Sequence, residues 1–343
     1  MNILIVKLSA IGDVIHTLPS LAALRRLYPD AHITWVVEQA AADLVLNHPL
    51  LDRVLIFRRK KWMSYFRKEK LPSLKREAGT FLTRLRDRRY DLVIDFHGLL
   101  KSSIVVFFSR SKRKLGYDSW QELNCLFLNE KIPEDMSKHA VDRYLDFPRY
   151  LGASVGQPEF ILPSSEDARL GSDAILSSHD LKNKPYIAVN PIALWDTKLW
   201  DDRKFAVLAD MIQQDLKIPV IFTGEDKEIL DKITSKMATK GINVGGQTNL
   251  LELAEIYRNA LAVITTDSGP MHLAAAVETP VVALFGPTDP ARTGPYGEGH
   301  TVIRAGLSCS PCLLKKCASR QCMEDITPEM VFDALQHKIK NKI

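Results

Sequence analysis

The chain has 343 residues, 46% of them hydrophobic and 25% charged, with a formal net charge of +5. That length suits two domains of ordinary size, each with its own core, and the composition is that of a soluble globular protein. No apolar run reaches the roughly 18 residues that span a bilayer. The opening MNILIVKLSAIGD has no basic segment before its apolar stretch and no small-residue cleavage pattern, so it reads as a first strand and not a signal peptide. A cytoplasmic protein is expected.

The excess charge is one-sided: residues 1–180 hold 27 Lys and Arg against 22 Asp and Glu, whereas residues 181–343 hold 19 of each. It is densest in FRRKKWMSYFRKEK (Phe57–Lys70) and returns in SRSKRK (Ser109–Lys114). Such a patch implies an anionic partner, whether nucleic acid, a phosphorylated substrate or a membrane surface, unless it is simply a solvated helix face. Trp62, Tyr65 and Phe66 interleave these charges, a pattern suited to an amphipathic surface that meets lipid.

In chain order, NILIVK (Asn2–Lys7) predicts a buried parallel strand, Ser9–Asp13 a turn, and the apolar spacing of Val14–Tyr28 a helix. HITWVV (His32–Val37) and RVLIF (Arg53–Phe57) predict strands, and Thr80–Arg89 a helix running into the strand DLVIDF (Asp91–Phe96). A weaker region follows, with a helical piece at His139–Leu151 and a Pro/Ser-rich junction at Gln157–Asp167. The alternation resumes with strands at Tyr186–Asn190, Pro219–Thr223, Ala262–Thr266 and Pro280–Phe285, and helices at Phe205–Gln214, Leu250–Asn259, Pro270–Val277 and Pro328–Lys338. β-α-β order predicts doubly wound parallel sheets. We expect an N-terminal domain over 1–165, a C-terminal domain over 180–325, and a segment 326–343 whose helix packs back on the first domain. The functional cleft would lie between the halves, at the carboxyl ends of both sheets.

Neither a G-x-G-x-x-G fingerprint nor a P-loop is present, which argues against NAD and P-loop chemistry. Gly12-Asp13 stands at the mouth of the first helix, where the carboxylate either caps its helix or accepts a proton from a substrate hydroxyl. ITTDSGPMHL (Ile264–Leu273) joins a strand to a helix through Gly269 and Pro270. Such a helix start suits an anion, and Thr265, Thr266, Ser268, Asp267 and His272 surround it. Thr197 and Lys198 follow another strand end as phosphate ligands, and Glu225 follows a third as a ribose ligand. Together these describe a nucleotide-diphosphate site.

The combination of VKLSAIGDVIHTLPSLAALR, DLVIDFHGLLKS, TKLW, FTGE, TTDSGPMHLAAA and PVVALFGPTDP resembles glycosyltransferase family 9, the ADP-heptose:lipopolysaccharide heptosyltransferases, over almost the whole chain. The resemblance implies an α/β GT-B fold of two Rossmann-like domains and inverting, metal-independent transfer of heptose from ADP-L-glycero-D-manno-heptose to the Kdo/heptose inner core of lipopolysaccharide. Asp13 would be the general base. Thr197, Lys198, Glu225, Asp267, Ser268, Gly269 and His272 would bind the donor, and Lys7, Arg59, Lys60, Lys101 and Arg143 the acidic acceptor, lipid A-Kdo or its heptosylated form. RRKKW and GLLKS lean toward the type that adds the first heptose. A place at the inner face of the cytoplasmic membrane is implied as well; a monomer is the default expectation, with no nucleic-acid partner.

Four of the five cysteines lie in Cys309-x2-Cys312-x4-Cys317-x4-Cys322, and Cys125 stands apart. The spacing allows a structural thiolate zinc site or reduced, structurally incidental thiols; a similar segment occurs in the heptosyltransferase II type. Transfer from a different nucleotide-diphosphate sugar, and a basic nucleic-acid or membrane-binding module, are the competing readings. The absence of any helix-turn-helix, RNP or zinc-finger pattern argues against the second.

Overall fold

Ile3–Val6 carries no polar side chain, and the strand it belongs to, β1 (Asn2–Val6), is buried on both faces of a sheet. The computed structural model describes residues 1–119 and 121–340. The chain forms two units, Met1–Ser164 and Ser165–Ile343.

In the first unit β1 is followed by α1 (Ile11–Leu27), β2 (His32–Val37), β3 (Arg53–Ile56), α2 (Arg59–Arg67), α3 (Leu71–Arg86), β4 (Tyr90–Asp95), α4 (Leu100–Phe108), β5 (Ser111–Tyr117), β6 (Glu130–Ile132), and the short helices α5 (Ala140–Tyr144) and α6 (Asp146–Tyr150). The sheet is parallel throughout, in the order β3-β2-β1-β4-β5-β6. Trp35 on β2 is fully buried, and its indole N–H donates to the Lys7 carbonyl at 3.0 Å.

The second unit runs α7 (Glu166–Ser178), β7 (Ile187–Asn190), α8 (Asp202–Met211), β8 (Val220–Phe222), α9 (Lys227–Thr234), β9 (Ile242–Asn243), α10 (Leu250–Arg258), β10 (Ala262–Thr266), α11 (Gly269–Ala276), β11 (Val281–Leu284), α12 (Pro290–Thr293), β12 (Thr301–Ile303), α13 (Gln321–Glu324) and α14 (Pro328–Ile339). Its order, β12-β11-β10-β7-β8-β9, repeats that of the first sheet, again all parallel. Val331, Phe332, Leu335 and Ile339 of α14 enter the core beside Ile264, Val282 and Leu284, so this helix covers the second sheet. Residues 341–343 of the C-terminal segment lie outside the described residues.

Four strands escape the sequence reading, β5, β6, β9 and β12. β6, β9 and β12 end or border the sheets and are two or three residues long, while β5 opens with the charged SKRK. Strands near a sheet edge are not buried on both faces and so carry no long apolar run. Helix α1 starts at Ile11, earlier than its apolar spacing suggests, which places Asp13 in its first turn. The predicted helix over His139–Leu151 is two short ones, α5 and α6, meeting at Leu145. The basic stretch is helix α2, but its aromatics do not all face outward. Trp62 packs at 5.0 Å on Phe57 and 5.5 Å on Phe81, and the Tyr65 hydroxyl donates to Glu77 at 3.1 Å. Only Phe66 of the three is exposed, because α2 covers the apolar face it shares with α3. The expected lipid-facing arrangement of Trp62, Tyr65 and Phe66 is corrected accordingly.

Candidate active site

Strand order reverses between β1 and β4 in the first sheet and between β7 and β10 in the second, and the carboxyl ends of such pairs are where doubly wound sheets present ligand sites. Several of the residues singled out from the sequence, Lys7 and Asp13 in the first unit and Lys198, Asp267, Ser268 and Gly269 in the second, stand at these two places.

In the first unit, β1 delivers Lys7, which is only 2% exposed. Its ammonium donates to the Phe96 carbonyl at 3.0 Å and the Tyr144 hydroxyl at 2.6 Å. Burial pushes the Lys7 pKa down, against the opposing pull of Asp13 and Asp95. Burial, reinforced by the Asp13 charge, holds Tyr144 protonated. After a cis Ser9–Ala10 peptide, Ala10 caps α1 without a side chain able to do so. Asp13 makes good the deficit: its Oδ2 accepts from the Ala10 N–H at 3.1 Å. Its Oδ1 accepts from the Tyr144 hydroxyl at 3.2 Å and lies 3.9 Å from the Lys7 ammonium. The side chain is 43% exposed. One oxygen of this carboxylate thus caps the helix, and the other holds the Tyr144 hydroxyl beside the Lys7 ammonium.

The remaining cations divide. Lys101 donates to Ser9 Oγ at 2.6 Å and, at 3.4 Å, to Glu38 Oε1, which also receives the Arg59 Nε at 3.3 Å. Arg143 is buried, 3.6 Å from Glu134, with its guanidinium 5.8 Å from the Tyr144 ring centroid. Lys60 is exposed on α2, outside this group.

Sequence reasoning missed the supports of this cluster. Buried Asp95, at the end of β4, accepts from Ser102 Oγ, Asn124 Nδ2 and the N–H groups of His97 and Gly98. Gly98 turns the loop at φ 67°, where a side chain would be strained. The loop presents His97 with both ring nitrogens buried. Burial, then the Lys7 and Lys101 charges, pull its pKa from 6.5 to about 3, with Asp13 and the Ser9 backbone opposing. His97 lay inside a quoted motif and could have been flagged; Tyr144 and Glu38 carried no signal.

The His97 shift has a sign. Between about 6.5 and about 3 the unfolded chain takes up a proton that the native chain refuses, so stability rises with pH across that window and is lost on acidification. We expect the thermal midpoint to fall from about pH 7 to about pH 5, and His97→Gln to fall less steeply. Equal slopes in a calorimetric pH series would overturn the assignment.

In the second unit, β10 ends at Thr266 and α11 opens at Gly269, with Ser268 as an N-cap whose side chain makes no capping bond. Pro270 brings no N–H and the Met271 N–H donates to the Ser268 carbonyl at 3.1 Å, so what this helix start offers an anion is chiefly the positive end of its dipole. Asp267, 5% exposed, accepts from the Lys198 ammonium at 2.6 Å and from the Thr288 hydroxyl at 2.5 Å. Lys198 also lies 4.5 Å over the Trp195 ring. Buried Thr197 donates to the Leu314 carbonyl at 2.7 Å, binding the turn before α8 to the Cys-containing segment. His272 is buried one turn into α11, and Glu225 is exposed at the end of β8. The structure thus gathers Lys198, Asp267, Ser268 and Gly269, while Glu225 stands on the neighbouring strand end. Thr288 went unread within GPTDP.

Cys125, Cys309, Cys312, Cys317 and Cys322 are all free thiols, and among the described residues no group of three or more His, Cys, Asp or Glu side chains is placed to hold a metal ion. The Cys-containing segment runs along Gly286-Pro287, where the Cys312 and Leu313 N–H groups donate to the Pro287 carbonyl at 3.0 and 2.8 Å.

Residues 79–323 match the family described as Glycosyltransferase family 9 (heptosyltransferase). Over 338 residues the chain is 30% identical to lipopolysaccharide heptosyltransferase 1 of Pseudomonas aeruginosa, covering 95% of this chain and 90% of that protein. The structure of E. coli heptosyltransferase WaaC with ADP superposes with a TM-score of 0.78 at 26% identity, over 98% of this chain and 100% of that one. WaaC with ADP-2-deoxy-2-fluoro heptose does so with a TM-score of 0.76, also at 26% identity, over 98% and 99%. Two Rossmann-like parallel sheets in α/β layers, matched to these structures, define the GT-B fold of a glycosyltransferase. The chain belongs to glycosyltransferase family 9, the heptosyltransferases.

Proposed function

We propose that this enzyme transfers heptose, with inversion, from ADP-L-glycero-D-manno-heptose to the Kdo residue of Kdo-lipid A at the inner face of the cytoplasmic membrane. The observation that carries the chemistry is the exposed Asp13 carboxylate, oriented by Tyr144 and Ala10 at the β1/β4 switch point. The acceptor oxygen attacks the anomeric carbon, its proton passes to Asp13 Oδ1, and the bond from that carbon to the diphosphate oxygen breaks. Lys198 and the positive end of the α11 dipole offset part of the charge that develops on the departing ADP, which supports transfer without a divalent cation. Glu225 reaches the ribose, and Thr197, Asp267, Ser268, Gly269 and His272 shape the diphosphate and sugar site. Lys7, Arg59, Lys60, Lys101 and Arg143 supply the positive field for an acceptor carrying carboxylates and phosphates. ADP and the fluorinated ADP-heptose found with E. coli WaaC support the donor. The relatives named heptosyltransferase 1 support the first heptose.

The test is ADP release from ADP-heptose and Kdo-lipid A in the presence of a chelator. Release is expected. Silence with Kdo-lipid A but turnover on a heptosylated core would move the enzyme to the second transfer, and no binding of ADP-heptose would remove the donor assignment.

A further inference from the structure

The first unit carries an apolar surface on α4 that the proposed reaction does not use. On α4 the inward residues Ser102, Ser103, Val105 and Val106 are buried, whereas Leu100, Ile104, Phe107 and Phe108 are 41% to 59% exposed. The kinked segment Gln121–Phe127 packs against this helix and adds Leu123 and Leu126, 54% and 64% exposed. Glu122 accepts from the Leu100 N–H at 2.9 Å, and the Phe107 ring meets Phe127 at 6.0 Å, so the two elements present one face. Contiguous apolar side chains at this exposure mark an interaction surface. No helix among the described residues is long and apolar enough to cross a membrane, so a lipid contact of this face would be a surface contact and not a span.

Its neighbour identifies the partner. Lys101 of α4 and Arg59 of α2 share one oxygen of Glu38, which sets the basic helix beside the start of the apolar one. Between Phe57 and Lys70 there are seven Lys and Arg against a single acid, and Arg58, Lys60, Arg67 and Lys68 are exposed there with Met63 and Phe66. A second copy of the chain pairing through this face would bring the same cations together, a repulsive arrangement. An anionic bilayer satisfies both properties, its acyl boundary taking the apolar side chains and its headgroups the cations. We infer that α4, the Gln121–Phe127 segment and α2 form the face by which this protein docks on an anionic lipid surface. The inference extends the reading of a lipid-linked acceptor by naming the surface that meets the lipid.

The experiment is flotation of the full chain with vesicles of phosphatidylcholine alone or mixed with phosphatidylglycerol, for wild type and Phe107→Asp/Leu126→Asp. Both side chains are exposed, and an unchanged thermal midpoint would show that the variant folds. Wild type should float with the anionic vesicles, and the variant should bind them at least about tenfold more weakly. Its ADP release on a soluble, delipidated Kdo acceptor should be unaltered. A variant that floats like wild type overturns the inference. So does a wild type that does not float, including one that forms a dimer abolished by the substitutions. Loss of transfer to the soluble acceptor by wild type, with flotation intact, would instead strike the proposed reaction and leave the docking face standing.

Discussion

Asp13→Asn should lower heptose transfer about 10²–10⁴-fold while leaving the fold intact, the loss expected when a positioned general base is removed. The choice of variant matters because Asp13 has two tasks. An amide oxygen in its place still accepts from the Ala10 N–H at the start of α1, but cannot take a proton. Asp13→Ala should lose the same activity and a further ~0.5–2 kcal/mol of stability, the range for deleting a helix-capping side chain. Equilibrium unfolding of the two variants beside ADP release separates the tasks: equal stability would mean the cap is idle, and retained transfer in Asp13→Asn would dismiss the base. Tyr144→Phe removes the hydroxyl that lies 3.2 Å from Asp13 Oδ1 and 2.6 Å from the Lys7 ammonium. The hydroxyl positions the Asp13 carboxylate and itself takes no proton from the acceptor in the proposed scheme, so its loss should cost less than either Asp13 substitution.

Lys198→Ala should reduce kcat by about 10²–10³, the size of effect seen when one preorganised stabiliser of developing charge is removed. It should also destabilise the second unit, since Asp267 is 5% exposed and would keep only the Thr288 hydroxyl of its two side-chain partners. Breaking one side of a buried ion pair costs about 3–5 kcal/mol, mostly because the remaining charge is stranded. Adding Asp267→Asn removes that stranded charge. The double variant should therefore recover much of the stability and none of the transfer. Recovery of both would reduce Lys198 to a structural counter-ion of Asp267; recovery of neither would show that the two residues act independently.

The sequence by itself determined the two parallel sheets and which polar residues stand near their strand ends. Strands covered on both faces are mostly apolar, so β1, β2, β4, β7, β10 and β11 announce themselves, as do the short apolar runs of β3 and β8, whereas β5, β6, β9 and β12 carry no such run. Asp13, Lys198 and the DSGPMH turn were legible because each follows a recognisable strand within a few residues. Only the tertiary structure decided which of these ends became neighbours. Lys198 and Asp267 are far apart in sequence, and β7 and β10 become adjacent because crossover connections send β8 and β9 to the other side of β7. The same holds for Lys7, His97 and Tyr144, which come from β1, the loop after β4, and α5. The aromatics of α2 make the point in reverse. Trp62 and Phe66 look alike in a basic amphipathic string, but only packing on Phe57 and Phe81 decides that the first is core and the second surface. Local pattern specifies which residues sit in an element and which end they occupy; the partner across a sheet or a helix face is a long-range contact, and no local period encodes it.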